Sequence, residues 1–152
     1  MNAGAPEPDL DDLYRELILD HYRHPRNKGH LESCSARAEG YNPLCGDEIA
    51  IDLDVHDGVI RDVAFMGRGC SISQASASML SEMVKGQPVE AATNLAAAFR
   101  RLMTEPEAGI DPELGDLEAF QGVAKFPVRV KCAMLAWRVL EDGLTAGENE
   151  KA

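Results

Sequence analysis

The chain has 152 residues, 26 acidic and 15 basic, for a formal net charge of −11 at pH 7. That length suits one compact domain, and no apolar run is long enough for a membrane span. A surface of this sign repels a phosphate backbone, which argues against nucleic acid and favours a protein partner with a basic docking face.

Residues 1–8 carry neither the basic region nor the apolar stretch of a secretory signal, so a cytoplasmic location and a disordered start are expected. From Asp9 to Arg23, Leu10, Leu13, Tyr14, Leu17, Ile18 and His21 recur at three- and four-residue spacing. This pattern predicts a helix with one apolar face, capped by Asp9 and closed by Pro25. His24 to Gly29 has loop composition, and His21 and His24 are read as packing and hydrogen-bonding groups.

A small antiparallel sheet follows. A strand over 35–41 is weakly signalled. From Glu48 to Val55, Ile49, Ile51, Leu53 and Val55 alternate with Ala50, Asp52 and Asp54, the period of a strand buried on one face. His56-Asp57-Gly58 supplies hairpin chemistry, and Val59 to Phe65 returns as the partner.

The second half reads as helical. Ser71-Ile-Ser-Gln74 fits a capping box opening a helix that ends at Gly86. Pro88 begins an Ala-rich helix with Leu95, Phe99 and Leu102 turned inward. Thr104 to Gly122 is less regular, with a helix start at Asp111-Pro-Glu113. Pro127 leads into a last helix bearing Cys132, Leu135, Ala136 and Val139, expected to end near Gly143 before a disordered tail, 144–152. Met79, Met83, Met134 and Trp137 are assigned to the core. Strands first and helices afterwards give an α+β fold: about three strands with helices on one face, in a single domain, 1–152.

Four cysteines are dispersed along the chain: Cys34, Cys45, Cys70 and Cys132. In a reducing compartment such cysteines serve as buried thiols, metal ligands or catalytic groups. Cys45 shares a turn with Asp47, close enough for one ion to bind both. Cys70 lies between a strand end and a helix N-terminus, where the dipole favours thiolate. Cys132 sits near another helix start but also fits that helix's apolar period. Three thiolates and a carboxylate complete a tetrahedral zinc shell, and Arg129 and Lys131 beside Cys132 can offset its negative charge. No spacing rule joins residues so far apart, so buried thiols and a zinc site stay equally open on these grounds.

Three segments carry a resemblance. Asn42-Pro-Leu-Cys-Gly-Asp47, Gly69-Cys-Ser-Ile-Ser-Gln-Ala-Ser-Ala-Ser78 and Arg129-Val-Lys-Cys-Ala-Met-Leu-Ala-Trp137 resemble the cysteine motifs of the IscU/SufU superfamily. His21-Tyr-Arg-His-Pro-Arg-Asn27 resembles its N-terminal element, and the likeness runs from about Leu10 to Leu140. Scaffolds of the IscU kind carry a histidine before the third cysteine, within a Pro-Pro-Val-Lys-x-His-Cys pattern that a chaperone recognises. Here Phe126-Pro-Val-Arg-Val-Lys-Cys132 places Lys131 at the histidine and Phe126 at the first proline. Protonated lysine cannot ligate a cluster. With the long segment between Cys70 and Cys132, these departures resemble the SufU branch.

The resemblance implies one zinc per chain held by Cys45, Asp47, Cys70 and Cys132. It also implies that Cys45 accepts persulfide sulfur from a SufS-type cysteine desulfurase for iron–sulfur cluster assembly, with later Suf proteins downstream. A desulfurase histidine would replace Cys45 on the ion, and Arg129 would contact the displaced sulfur or the partner. Two other expectations compete: a cluster scaffold on the same cysteines, and a zinc module without sulfur chemistry. Cys34 lies outside every motif and reads as a spare thiol.

Overall fold

The computed structural model describes residues 10–151. Helix α1 spans Leu10–Arg23, and its apolar side places Ile18 and His21 in the interior. Strands β1 (Ala36–Asn42), β2 (Asp47–His56) and β3 (Val59–Arg68) form an antiparallel sheet in the order β1-β2-β3. Helices α2 (Ser71–Val84), α3 (Val89–Thr104) and α4 (Pro127–Lys151) follow, with 3-10 segments at Pro106–Ala108 and Pro112–Lys125 between the last two. The expected cap at Asp9 and the expected loose start, 1–8, fall outside the described residues.

The β2–β3 hairpin closes through Asp57 and Gly58, both at positive φ (53° and 75°), with His56 opposite Val59. Two left-handed residues match the right-handed twist of the flanking strands, which is the chemistry an Asp-Gly pair provides. The alternation on β2 sends Ile49, Ile51 and Leu53 to one face, beside Val63 and Phe65 of β3. Helix α4 lies across that face, close enough that a Cβ on Gly143 would stand 2.9 Å from Leu53 Cδ1. Trp137 of α4 stacks on Phe99 of α3 with centroids 5.1 Å apart, and Phe99 meets Phe120 edge-on at 5.6 Å. The helices therefore bury the sheet from one side, as an α+β layer fold requires.

Three local expectations are corrected. Cys70, not Ser71, occupies the cap position of α2, and no side chain of its own caps the helix. Asp47 Oδ1 instead accepts from the Cys70 N–H at 2.8 Å, a long-range cap that a local box pattern cannot reveal. Helix α4 does not stop near Gly143 but continues to Lys151, into the stretch expected to be a disordered tail. Gly143 is there because the helix touches the sheet, and Leu144 beyond it is buried. Finally, Asp52 does not face solvent: it is 1% exposed beneath the 24–35 segment, bonded to Arg37, His30 and the Leu31 N–H.

Candidate metal centre

The sheet register sets where the site forms. Asn42 and Asp47 are the closing pair of the β1–β2 hairpin, both on the face turned to the helices, and both are buried. Pro43 to Gly46 make the turn between them, held by Gly46 N–H and Cys45 N–H donating to Asn42 O at 2.8 and 3.3 Å. Gly46 takes φ +70°, a left-handed conformation suited to glycine. This turn carries Cys45 to the same end of the sheet where β3 hands over to α2 at Cys70. The early turns of α4 bring Cys132 to the same place.

Cys45 Sγ lies 2.8 Å from Cys132 Sγ, and one ligand atom each from Cys45, Asp47 and Cys132 fall within 4.8 Å of one another. Cys70 is outside that group, with its Sγ 3.8 Å from Asp47 Oδ2. Residues 87 and 90 positions apart thus converge, which spacing alone left open. Cys132 is fully buried, whereas Cys45 and Cys70 are partly exposed. Burial, the thiol of Cys45 and the carboxylate of Asp47 push the Cys132 thiol well above its usual range. A bound cation would reverse that balance, because positive charge at the same spot favours thiolate. The donor set, soft sulfurs with one hard carboxylate on a closed corner, fits zinc.

The carboxylate of Asp47 faces two ways. Oδ1 takes the Cys70 N–H, while Oδ2 points to the Cys70 thiol. Gly69, at φ +148°, makes room: a Cβ there would stand 2.9 Å from Asp47 Cα and overlap Oδ1. Arg129 and Lys131 project from the start of α4 into solvent without an ion pair among the described residues. Cys34 stands apart from the cluster.

Sequence reasoning missed Asn42. Its Oδ1 accepts from the Leu44 N–H at 3.3 Å and its Nδ2 lies 3.7 Å from Cys132 Sγ, so one amide braces the turn and faces the thiol. The signal was available: an Asn before Pro at a strand end is a local turn former.

Residues 13–146 match the family model described as the NifU-like N-terminal domain. The chain belongs to that family. It is 45% identical over 140 residues to the zinc-dependent sulfurtransferase SufU of Bacillus subtilis, covering 92% of this chain and 95% of that one. It is 39% identical over 140 residues to the iron–sulfur cluster assembly scaffold protein IscU of Streptococcus pyogenes, covering 92% and 87%. Among solved structures, FiSufU of Fervidobacterium islandicum superposes with a TM-score of 0.80 at 33% identity, over 85% of this chain and 94% of that one. A NifU-like N-terminal protein from Brucella abortus superposes at 0.84 with 26% identity, over 94% and 99%. The IscU/SufU-like α+β fold expected from the cysteine motifs is thus the fold observed, and the SufU relative matches nearly end to end.

Proposed function

We propose that this NifU-like chain is a zinc-dependent sulfurtransferase. Cys45 accepts persulfide sulfur from a SufS-type cysteine desulfurase in the cytoplasm, for iron–sulfur cluster assembly. The observation that carries the reading is the asymmetry of the thiols: Cys132 is sealed in a helix, while Cys45 rides a partly exposed turn against it. One thiol holds and the other can be reached.

One zinc ion per chain, held by Cys45, Asp47, Cys70 and Cys132, supplies a Lewis acid that keeps the thiols deprotonated. Asp47 fixes the N-terminus of α2 and so holds Cys70 in register. Asn42 holds the turn. Cys45 Sγ attacks the terminal sulfur of the donor's persulfide: a new S–S bond forms on Cys45, the donor's S–S bond breaks, and the donor cysteine departs as thiolate. Leu44 on the turn and Phe126 and Val128 at the start of α4 are exposed, an apolar collar beside the thiols suited to a protein partner. Arg129 and Lys131, exposed on the same first turns of α4, contact the partner.

A cluster scaffold uses the same donors, and the IscU relatives keep that reading in view. Lys131, exposed and cationic where the scaffold pattern has histidine, weighs against it.

The test is alanine release from cysteine by the desulfurase, with zinc-loaded wild type, with Cys45→Ala and with neither. Stimulation by wild type alone supports sulfur acceptance at Cys45. Equal stimulation by Cys45→Ala overturns it.

A further inference from the structure

Beside the metal centre runs a second feature, which the sulfur chemistry does not use. A groove of about 500 Å³ opens between α1, the first turn of α2, the end of the 112–125 segment and the start of α4. Its floor is apolar, built from Ile18, Leu19, Ile72 and Val123, with the exposed Phe126 ring at its lip. Its charged lining is Arg15, Lys125 and Arg129, with no acidic residue among them. None of the three has an ion-pair partner among the described residues, and the neighbouring carboxylate of Glu118 already accepts from Tyr14 Oη at 2.6 Å. Lys131 adds a fourth unpaired cation nearby.

This is unexpected in a chain of net charge −11. Many other basic side chains are paired: Arg26, Arg37, Arg68, Lys85, Arg100 and Arg101 each reach a carboxylate. Other cations such as Arg23, Lys28 and Arg61 are also without an ion pair among the described residues, but Arg15, Lys125 and Arg129 are the ones gathered along a single groove. The groove's own lining is thus cationic although the chain is acidic, and close contacts respond to such local charge, because charges beyond a Debye length of about 8 Å are screened.

We propose that this groove seats an acidic segment of the sulfur donor, with an apolar side chain over Ile18, Ile72 and Val123 and carboxylates on Arg15, Lys125 and Arg129. Phe126 belongs to both the groove and the apolar collar, so the two surfaces are continuous and one partner covers both. The expectation of a basic docking face, drawn from net charge, is thereby reversed at the contact. This inference rests on the sulfurtransferase reading and adds to it the chemistry of the partner's surface.

The experiment is a titration of the zinc-loaded chain into the desulfurase at saturating cysteine, reading alanine release. Arg15→Glu, Lys125→Glu and the double variant are compared with wild type and with Arg61→Glu, an exposed cation at the opposite end of β3. Zinc content and circular dichroism melts confirm that each variant is folded and loaded, and Lys125→Gln separates loss of charge from reversal. The double variant is expected to raise the half-saturating concentration about tenfold or more with the plateau rate unchanged, and to flatten its dependence on salt. Lys125→Gln is expected in between, and Arg61→Glu near wild type. Wild-type half-saturation in the double variant, tighter docking in it, or an equal loss in Arg61→Glu each overturns the docking proposal while leaving sulfur acceptance standing. No stimulation by wild type overturns both.

Discussion

Gly69→Ala tests how the site is assembled without replacing any of the proposed donor residues. Residue 69 sits at φ +148°, a region that side chains rarely adopt, which costs on the order of 1–3 kcal/mol. An added Cβ overlaps Asp47 Oδ1 and stands 2.9 Å from Asp47 Cα, and neither can yield easily because Asp47 is fully buried on β2. The carboxylate must rotate, breaking its 2.8 Å bond from the Cys70 N–H. A hydrogen bond to a charged acceptor contributes about 1.5–3 kcal/mol. Displacing a group that orients ligands lowers metal affinity about 10- to 100-fold, and moving Asp47, also a proposed donor, should cost at least that much. Competition with a chelator of known zinc affinity measures the loss, and melting with and without zinc separates it from plain instability. Wild-type zinc affinity in Gly69→Ala would refute the claim that Asp47 is held by this close approach.

Asn42→Ala removes the brace of the Cys45 turn; we expect a stability loss of about 1 kcal/mol and faster alkylation of Cys45, read by mass spectrometry of partly labelled protein. Burial alone would raise the Asp52 carboxyl, but Arg37, the Leu31 N–H and His30 hold it below its ordinary value. Its stabilisation is therefore present above pH 3.8 and lost as pH falls through the folded value, and Asp52→Asn should flatten that acid limb in urea titrations while costing about 1–3 kcal/mol at pH 7. For His21 the burden of burial, with Arg26 adding to it against Glu82, Asp20 and Asp116, pushes the imidazole below 6.5. The folded chain then binds fewer protons than the unfolded one, so wild type loses stability as pH drops below 6.5, and His21→Gln should show a smaller loss between pH 7.5 and 5.

What the sequence made legible was local. The alternation of Ile49, Ile51 and Leu53, the Asp57-Gly58 turn and the inward Leu95, Phe99 and Leu102 all follow from period and turn chemistry, and all appear as read. What it hid depends on partners far along the chain. Asp52 looked solvent-facing because strand period cannot foresee a loop folding over it. Gly143 looked like a stop because a close helix–sheet approach leaves the same residue in the sequence. The capping box at Ser71 was plausible chemistry displaced by a carboxylate 23 positions before Cys70. The convergence of Cys45 and Cys132 was legible through motif resemblance, since thiols 87 positions apart have no pattern of their own.

The hairpin that carries Cys45 also limits how far that thiol can travel. Asn42 and Asp47 face each other across the last rung of the β1–β2 ladder, and Cys45 lies two residues from Asp47. Extended chain spans about 3.3–3.6 Å per residue, so the Cys45 Cα can stray no more than about 7 Å from that anchor. Such a tether is no swinging arm. On the proposed reading of Cys45 as sulfur acceptor, this reach requires the donor to bring its reacting sulfur to the turn on an element that protrudes from its own surface.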